Sequence, residues 1–370
     1  MKILVTGANG FVAKNLIQFL AEKPEVEVLK LYRDSTAQQL EHMVLDADWI
    51  VHLAGVNRPQ HDSEFIEGNV SLTESICEIL RQNQKQTPII LSSSIQAERD
   101  NVYGKSKLGG EQALHKLNQQ NGNPIYISRM VNIFGKWSKP NYNSAVATFC
   151  YNIANDLPIQ INDENAAIRL VYIDDVLETI WDILNHKYQA NESFEIQPEY
   201  NITVGKLAET IRGFKASRET LITDQVGVGL TRALYSTYLS FLKPAQFDYT
   251  VPKYGDERGV FVEMLKTPDA GQFSYFTAHP GITRGGHYHH TKTEKFLVIK
   301  GKALFKFKHI STGEYYELET IGEEPRIEET VPGWTHDITN IGEDEMVVML
   351  WANEIFDRAK PDTFAMPLSN

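Results

Sequence analysis

The stretch Thr6-Gly7-Ala8-Asn9-Gly10-Phe11-Val12-Ala13, directly after the apolar run Lys2–Thr6, constrains the fold more than any other part of this chain. Gly7 permits a tight turn, and Gly10 lets the backbone come close to a pyrophosphate. The helix that starts there turns free N–H groups and the positive end of its dipole toward the anion. Ala13, where a third small residue is expected, still allows close helix–strand packing. The pattern predicts a dinucleotide site with Gly7, Asn9, Gly10, Phe11 and Val12 around the phosphates. A purely structural turn would carry the same residues, so the motifs that accompany it decide.

The first half of the chain alternates strand-like apolar runs (2–6, 26–32, 49–54, 88–92 and 125–129) with helix-length segments such as 12–23, 69–82 and 104–118. Strands separated by helices predict βαβ units and a Rossmann-type, doubly wound parallel sheet. Strands that are apolar throughout agree, because such a sheet is covered on both faces. After residue 245 or so, β-rich runs (259–265, 272–278, 294–299, 303–308, 315–318 and 346–352) are separated by Pro280-Gly281, Gly285-Gly286, Gly301, Gly313, Pro332-Gly333 and Gly342. That texture predicts a separate all-β barrel or sandwich. The expected division is 1–245 and 246–370, near Pro244, with a helical stretch 215–242 in the first domain or at the joint.

A formal charge of -12 argues against nucleic acid as partner. No apolar run reaches the roughly 18 residues of a membrane span. The start of the chain is too short for a secretory h-region, and Cys77 and Cys150 offer no disulfide framework, so a cytoplasmic location is expected.

Tyr103 and Lys107 stand at i and i+4 and share a helix face. A phenol of pKa ~10 is a poor acid at neutral pH until a cation favours its anion. Lys107 can supply that cation and hold a nicotinamide ribose, while Tyr103 protonates a carbonyl oxygen as hydride reaches the carbon. Ser94 or Ser93 can hydrogen-bond the same oxygen. At the end of the second strand, Arg33 precedes Asp34; a cation there accommodates a 2′-phosphate and favours NADP(H), although a plain surface pair is the alternative.

Together these residues resemble the extended short-chain dehydrogenase/reductase family over residues 1–240, in particular its nucleotide-sugar branch. The resemblance includes His52-Leu53-Ala54-Gly55, with Leu53 and Ala54 in the cofactor-supporting turn, and Asn69 as the family's helix asparagine. It also includes Arg129–Gly135 and Leu170–Val176 as later signatures. It implies a nucleoside-diphosphate-sugar pocket within 132–169, with Asn143 and Arg169 as contacts. Only eight residues separate Ser94 from Tyr103, fewer than in relatives, which leaves the role of each serine open.

Six of the eleven histidines lie between His279 and His336. Imidazoles and one carboxylate brought together by antiparallel strands suit a first-row divalent metal. On a strand, His287 and His289 share a face and His290 points away, unless a bulge intervenes at the nearby glycines. The run Arg284–Glu294, followed by Gly301, and the segment Val331–Asn340 resemble the cupin superfamily over 246–370, with one residue fewer than its second motif between Pro332 and Gly333. The expected ligands are Glu294 and His336 with His290 or His289, and the metal Zn, with Mn, Fe or Ni open. Asp256–Glu263 and Arg284-Gly285-Gly286-His287 resemble cupin-fold deoxysugar 3,5-epimerases. That resemblance implies His287 as the base that removes a proton beside a 4-keto group.

The two halves together resemble bifunctional capsular-polysaccharide enzymes. The resemblance implies C3 epimerisation of a UDP-4-keto-6-deoxy-HexNAc by the cupin domain. C4 reduction with NADPH then leads to a 6-deoxytalose-type product, on the way to UDP-N-acetyl-L-fucosamine, in a homodimer. A reductase whose cupin is a sensor or dimerisation module, or an epimerase or dehydratase that recycles its nucleotide, are the alternatives.

Overall fold

The computed structural model describes residues 1–56, 61, 63–192, 194–247, 249–290, 292–310, 312–331 and 333–368. Thr291, within the run Arg284–Glu294, and Pro332 lie outside them. The chain forms two compact units, residues 1–211 with 232–242, and residues 212–231 with 243–370.

The first unit is built on a parallel sheet of β1 (Lys2–Thr6), β2 (Glu27–Leu31), β3 (Trp49–His52), β4 (Ile89–Ser94) and β5 (Ile125–Met130), in the order β2-β1-β3-β4-β5. The chain leaves β1 to one side through α1 (Phe11–Ala21) and returns to the other through α2 (Ala37–Asp46). The carboxyl ends of β1 and β3 therefore form a topological switch point, where ligands of open α/β sheets bind. The strands are apolar because helices cover them. Leu4, Ile50, Ile89, Leu91 and Ile125 pack with Val44 of α2, with Ile76 and Leu80 of α4 (Leu72–Gln82), and with Leu114 and Leu117 of α5 (Val102–Asn121). Each such side chain contributes about 1.5–3 kcal/mol of burial. A short helix α3 (Ser63–Ile66) runs into a π-helical stretch, Glu67–Ser71, before α4.

Further along lie β6 (Asn132–Phe134), α6 (Ala145–Ala154), β7 (Ala167–Tyr172), α7 (Ile173–Leu184) and β8 (Glu199–Thr203). The strands form a second small sheet, β6-β7-β8. Phe19 of α1 meets Trp181 of α7 edge-on, with ring centroids 6.3 Å apart. The chain continues through α8 (Val204–Thr220) and α9 (Gly229–Leu239). Among the described residues no helix is long and apolar enough to cross a membrane. Both cysteines are free thiols; burial pushes Cys77 up to about 12.

The second unit is antiparallel. One sheet holds β9 (Lys253–Asp256), β10 (Gly259–Thr267), β11 (Gly271–Ala278), β13 (Glu294–Lys300), β16 (Ile327–Glu329) and β18 (Met346–Ala352). The other holds β12 (Thr283–Tyr288), β14 (Lys302–His309), β15 (Tyr315–Ile321), β17 (Trp334–Asn340) and β19 (Phe364–Ala365). Phe276, Phe296, Val298 and Val348 of the first sheet meet Ala303, Phe305, Phe307 and Ile338 of the second in one core. Residues 221–223 belong with this unit: Leu221 and Thr223 exchange backbone hydrogen bonds with Lys266.

Candidate active site and metal centre

At the switch point Gly7 is held at a φ of +66°, and a Cβ there would lie 2.8 Å from Ala54 Cα. The turn and the backbone of residue 54 can meet only with glycine between them. Gly10 is the N-cap of α1 and provides no side-chain cap, so the first N–H groups of the helix point outward unpaired by any side chain. That open end is suited to an anion. Below it, Thr6 Oγ1 accepts from the backbone N–H groups of Leu53 and Ala54 at 3.1 and 3.0 Å.

His52 fixes this arrangement. Thr73 Oγ1 donates to the Asn69 carbonyl, so His52 Nε2 must donate to Thr73, at 2.8 Å, and Nδ1 must accept from Thr6, at 2.7 Å. Burial, with Lys107 nearby, holds the imidazole down at about 3, in its neutral form. Asn69, in the π-helical stretch, pairs both backbone groups of Val56 and donates to Ser106 Oγ on α5 at 2.9 Å.

Asn101 caps α5 through Gly104 N–H, which brings Tyr103 into the first turn. The Tyr103 hydroxyl is hydrogen-bonded by Ser94, while burial pushes the phenol up. Lys107 Nζ donates to the Ser92 carbonyl at 3.1 Å. Burial brings its ammonium down to about 8, against the pull of Glu111. Ser93 is different: its hydroxyl donates to the buried carboxylate of Glu111. Of the two serines, Ser94 is the one in contact with Tyr103. The short Ser94–Tyr103 connection works because Gly104 lies against it; a Cβ would sit 2.3 Å from Gln96 O and 2.5 Å from Arg99 O. Gly104→Ala gains up to ~1 kcal/mol of helix propensity but forces overpacking that costs about 1–3 kcal/mol. The expected result is a lower unfolding midpoint and slower cofactor oxidation, because Tyr103 moves with its helix. Unchanged values of both would refute this packing argument.

In the second unit the donor atoms of His287, His289, Glu294 and His336 all lie within 4.8 Å of one another. β12 pairs His287 with His336 of β17, after a bulge between Gly285 and His287. Gly285, at a φ of +100°, makes the bulge possible: a Cβ there would lie 2.8 Å from His336 O. Glu294 opens β13 in the facing sheet. His289 Nδ1 donates to the Asp362 carbonyl, so its other nitrogen presents a lone pair to Glu294 Oε2 at 3.2 Å. Both ring nitrogens of buried His336 are without a hydrogen-bond partner. A lone pair opposite a carboxylate, beside an orphaned imidazole, is a donor set that a divalent cation satisfies. Lys292 Nζ takes Glu294 Oε1 at 2.8 Å and leaves Oε2 facing the imidazoles. Burial pushes the Glu294 carboxyl up, and the Lys292 ammonium on Oε1 pulls it down. His287 is the least buried of the four, and burial beside His336 brings it down to about 4.

Residues 3–202, more than half of the chain, match the NAD dependent epimerase/dehydratase family. The chain belongs to that family. Residues 254–364 match the polysaccharide biosynthesis C-terminal domain. A UDP-2-acetamido-2,6-beta-L-arabino-hexul-4-ose reductase of Pseudomonas aeruginosa is 59% identical over 365 residues, 99% of this chain and 98% of its own. The crystal structure of capsular polysaccharide assembling protein CapF from Staphylococcus aureus matches with a TM-score of 0.92 at 43% identity, over 100% of both chains. A UDP-glucuronic acid 4-epimerase of Bacillus cereus in complex with NAD shares the fold alone. Its TM-score is 0.56 at 19% identity, over 65% of this chain and 98% of that one.

Membership of the NAD dependent epimerase/dehydratase family supports a nicotinamide cofactor for the first unit, in which Gly7, Gly10, Thr6 and the 53–55 turn converge at the carboxyl ends of β1 and β3. Arg33, beyond β2, has a side chain 90% exposed and reaches Glu64 only at 3.9 Å. Arg169 is joined to Glu199 by two hydrogen bonds of 2.6 and 2.7 Å, and Asn143 is exposed just before α6. His290 stands outside the histidine cluster. Its ring packs on Phe364, with centroids 4.8 Å apart, and its N–H donates to Asp362 Oδ1. His287 takes the fourth corner instead, because the strand alternates side chains and the bulge lies before His287, not after it. Lys292 and Glu111 were missed altogether. Lys292, two residues before Glu294, could have been found by that same alternation.

Proposed function

We propose that this chain is a bifunctional enzyme of UDP-linked 4-keto-6-deoxy-HexNAc, which epimerises C3 in a cupin-type second unit and then reduces C4 with NADPH in the first. The observation that carries the reductase is the Ser94–Tyr103 hydrogen bond beside the anchored Lys107, on the sheet edge that bears the open α1 terminus. The name of the Pseudomonas aeruginosa relative supports the same chemistry.

In the reductase, Gly7, Asn9, Gly10, Phe11 and Val12 would hold the pyrophosphate, and loosely held Arg33 the 2′-phosphate that favours NADPH. The reduced cofactor supplies hydride to C4. Ser94 orients the C4 oxygen, Tyr103 gives it a proton, and Lys107 stabilises the phenolate left behind. In the second unit His289, Glu294 and His336 are suited to hold a divalent ion, with Zn the best match to two imidazoles and a carboxylate. The ion supplies Lewis acidity for the negative charge that develops on the ketone oxygen. His287, the most accessible of the four, is the group we assign to move the C3 proton. The order follows from the substrate: the C3 proton is removable only while C4 is a ketone, so reduction comes second.

The test is the full chain with a UDP-4-keto-6-deoxy sugar in D2O. Without NADPH, deuterium is expected at C3; with it, one equivalent of NADPH is oxidised per sugar. NADPH oxidation without C3 exchange would leave a reductase alone. Neither would end the reading.

A further inference from the structure

Glu111 stands one turn beyond Lys107 on the same face of α5, at i+4, and its side chain is 5% exposed. Three groups hold it there. Ser93 donates to Oε1, Arg129 Nε donates to Oε1 at 3.0 Å, and Arg129 Nη2 donates to Oε2 at 2.7 Å. Arg129 extends from β5, the strand paired with β4 at Ser93, and its Nη1 reaches on to Glu98 in the short turn between Ser94 and Tyr103 at 3.0 Å. The clamp therefore links β4, β5, the serine turn and the catalytic helix. A carboxylate taken this far out of water is costly unless each oxygen is paired, and here both are. The proposed mechanism assigns no role to Glu111 or Arg129.

We propose that Glu111 is a positioning residue of the reductase site: clamped by Ser93 and Arg129, its carboxylate keeps Lys107 charged and leaves Ser94 as the serine that faces the reacting oxygen. The inference rests on the reading of Tyr103 and Lys107 given above. Two consequences follow from the geometry. Ser93 cannot turn to substrate without giving up a buried acceptor, so Ser94 alone is available. Lys107, desolvated beside Ser92, Gly55 and the neutral His52 imidazole, has Glu111 as its opposing negative charge. As pH rises Lys107 loses its proton before Tyr103 does, because burial brings the lysine to about 8 while it pushes the phenol above its ordinary value. The alkaline limb of the reduction rate therefore belongs to Lys107. Removing the Glu111 charge removes what holds that proton on, and the limb moves to lower pH.

The test compares kcat for NADPH oxidation against pH in the full chain, wild type and Glu111→Gln, with NADPH binding and the unfolding midpoint recorded for each. The expected result is an alkaline limb lower by about one pH unit, hence about tenfold slower turnover above both limbs, and near wild-type turnover at pH 6. A residue that only braces the fold would lower the midpoint or scale the whole curve without moving the limb. The double substitution Glu111→Gln with Arg129→Gln leaves no charge buried alone, and its limb is expected to move in the same direction. A limb unmoved in either folded variant overturns the inference. Wild type that oxidises no NADPH with any 4-keto sugar nucleotide would instead overturn the reading beneath it.

Discussion

Tyr103→Phe is expected to slow NADPH oxidation by about a thousandfold while C3 deuterium exchange continues at the wild-type rate. In the proposed scheme the phenol contributes one proton at one moment, when charge appears on the C4 oxygen. Phenylalanine keeps the ring that packs against Phe65, with centroids 5.5 Å apart, and removes only the hydroxyl that Ser94 contacts. The fold and the cofactor site should therefore survive, and NADPH should bind with near wild-type affinity. The loss falls on kcat, because the proton is transferred in the transition state and not in the ground state. Exchange at C3 depends on residues of the second unit, none of which touches Tyr103 in the proposed scheme. Single-turnover stopped-flow measurement of NADPH absorbance, with NMR of the sugar in D2O, reads both steps in one sample. A variant that retains more than a tenth of wild-type reduction would mean that another acid serves the C4 oxygen.

The parts of this design that were legible in the sequence are those set by neighbours along the chain. The glycine turn at Gly7 and Gly10, the i, i+4 spacing of Tyr103 and Lys107, and the apolar runs that became β1 to β5 are local patterns, and each sits where its periodicity required. Six strands of the second unit, β10, β11, β13, β14, β15 and β18, were legible for the same reason. What was hidden depends on partners distant in sequence. Ser93 is taken by Glu111, 18 residues on, and Arg169 by Glu199, 30 residues on. No spacing rule exposes such pairs. Which of the clustered histidines face the carboxylate turned on the location of one bulge. A one-residue slip would exchange every side chain between the faces of β12, and that register is set by its pairing with β17, where Gly285 lies close against the His336 backbone. The capping Thr36 and the short helix α2 were also passed over, since that helix carries a single fully buried side chain, Val44, and so little apolar periodicity.

Glu294→Gln tests the second unit more severely than any histidine change, because it removes the charge and keeps the shape. The amide oxygen can still accept from Lys292, so the Oε1 side of the site remains paired, and the fold should persist. What disappears is the negative charge opposite the lone pair of His289 and the orphaned ring of His336. Two neutral imidazoles and an amide hold a divalent ion far less firmly than two imidazoles and a carboxylate. The affinity loss should exceed the roughly 10–100-fold that follows when only an outer-shell partner is removed. Because an ion that binds the folded state raises stability by mass action, wild type with Zn at about 100 times its dissociation constant gains about 2.7 kcal/mol, and the variant should gain almost none at the same concentration. The measurements are metal content after dialysis, the unfolding midpoint with and without added Zn, and C3 exchange in D2O. NADPH oxidation of a substrate already epimerised at C3 should be unaffected, since Tyr103, Ser94 and Lys107 are untouched. Retained metal with unaltered exchange would remove Glu294 from the site. Lost metal with unaltered exchange would leave the ion a structural part and make His287 a base that works without it.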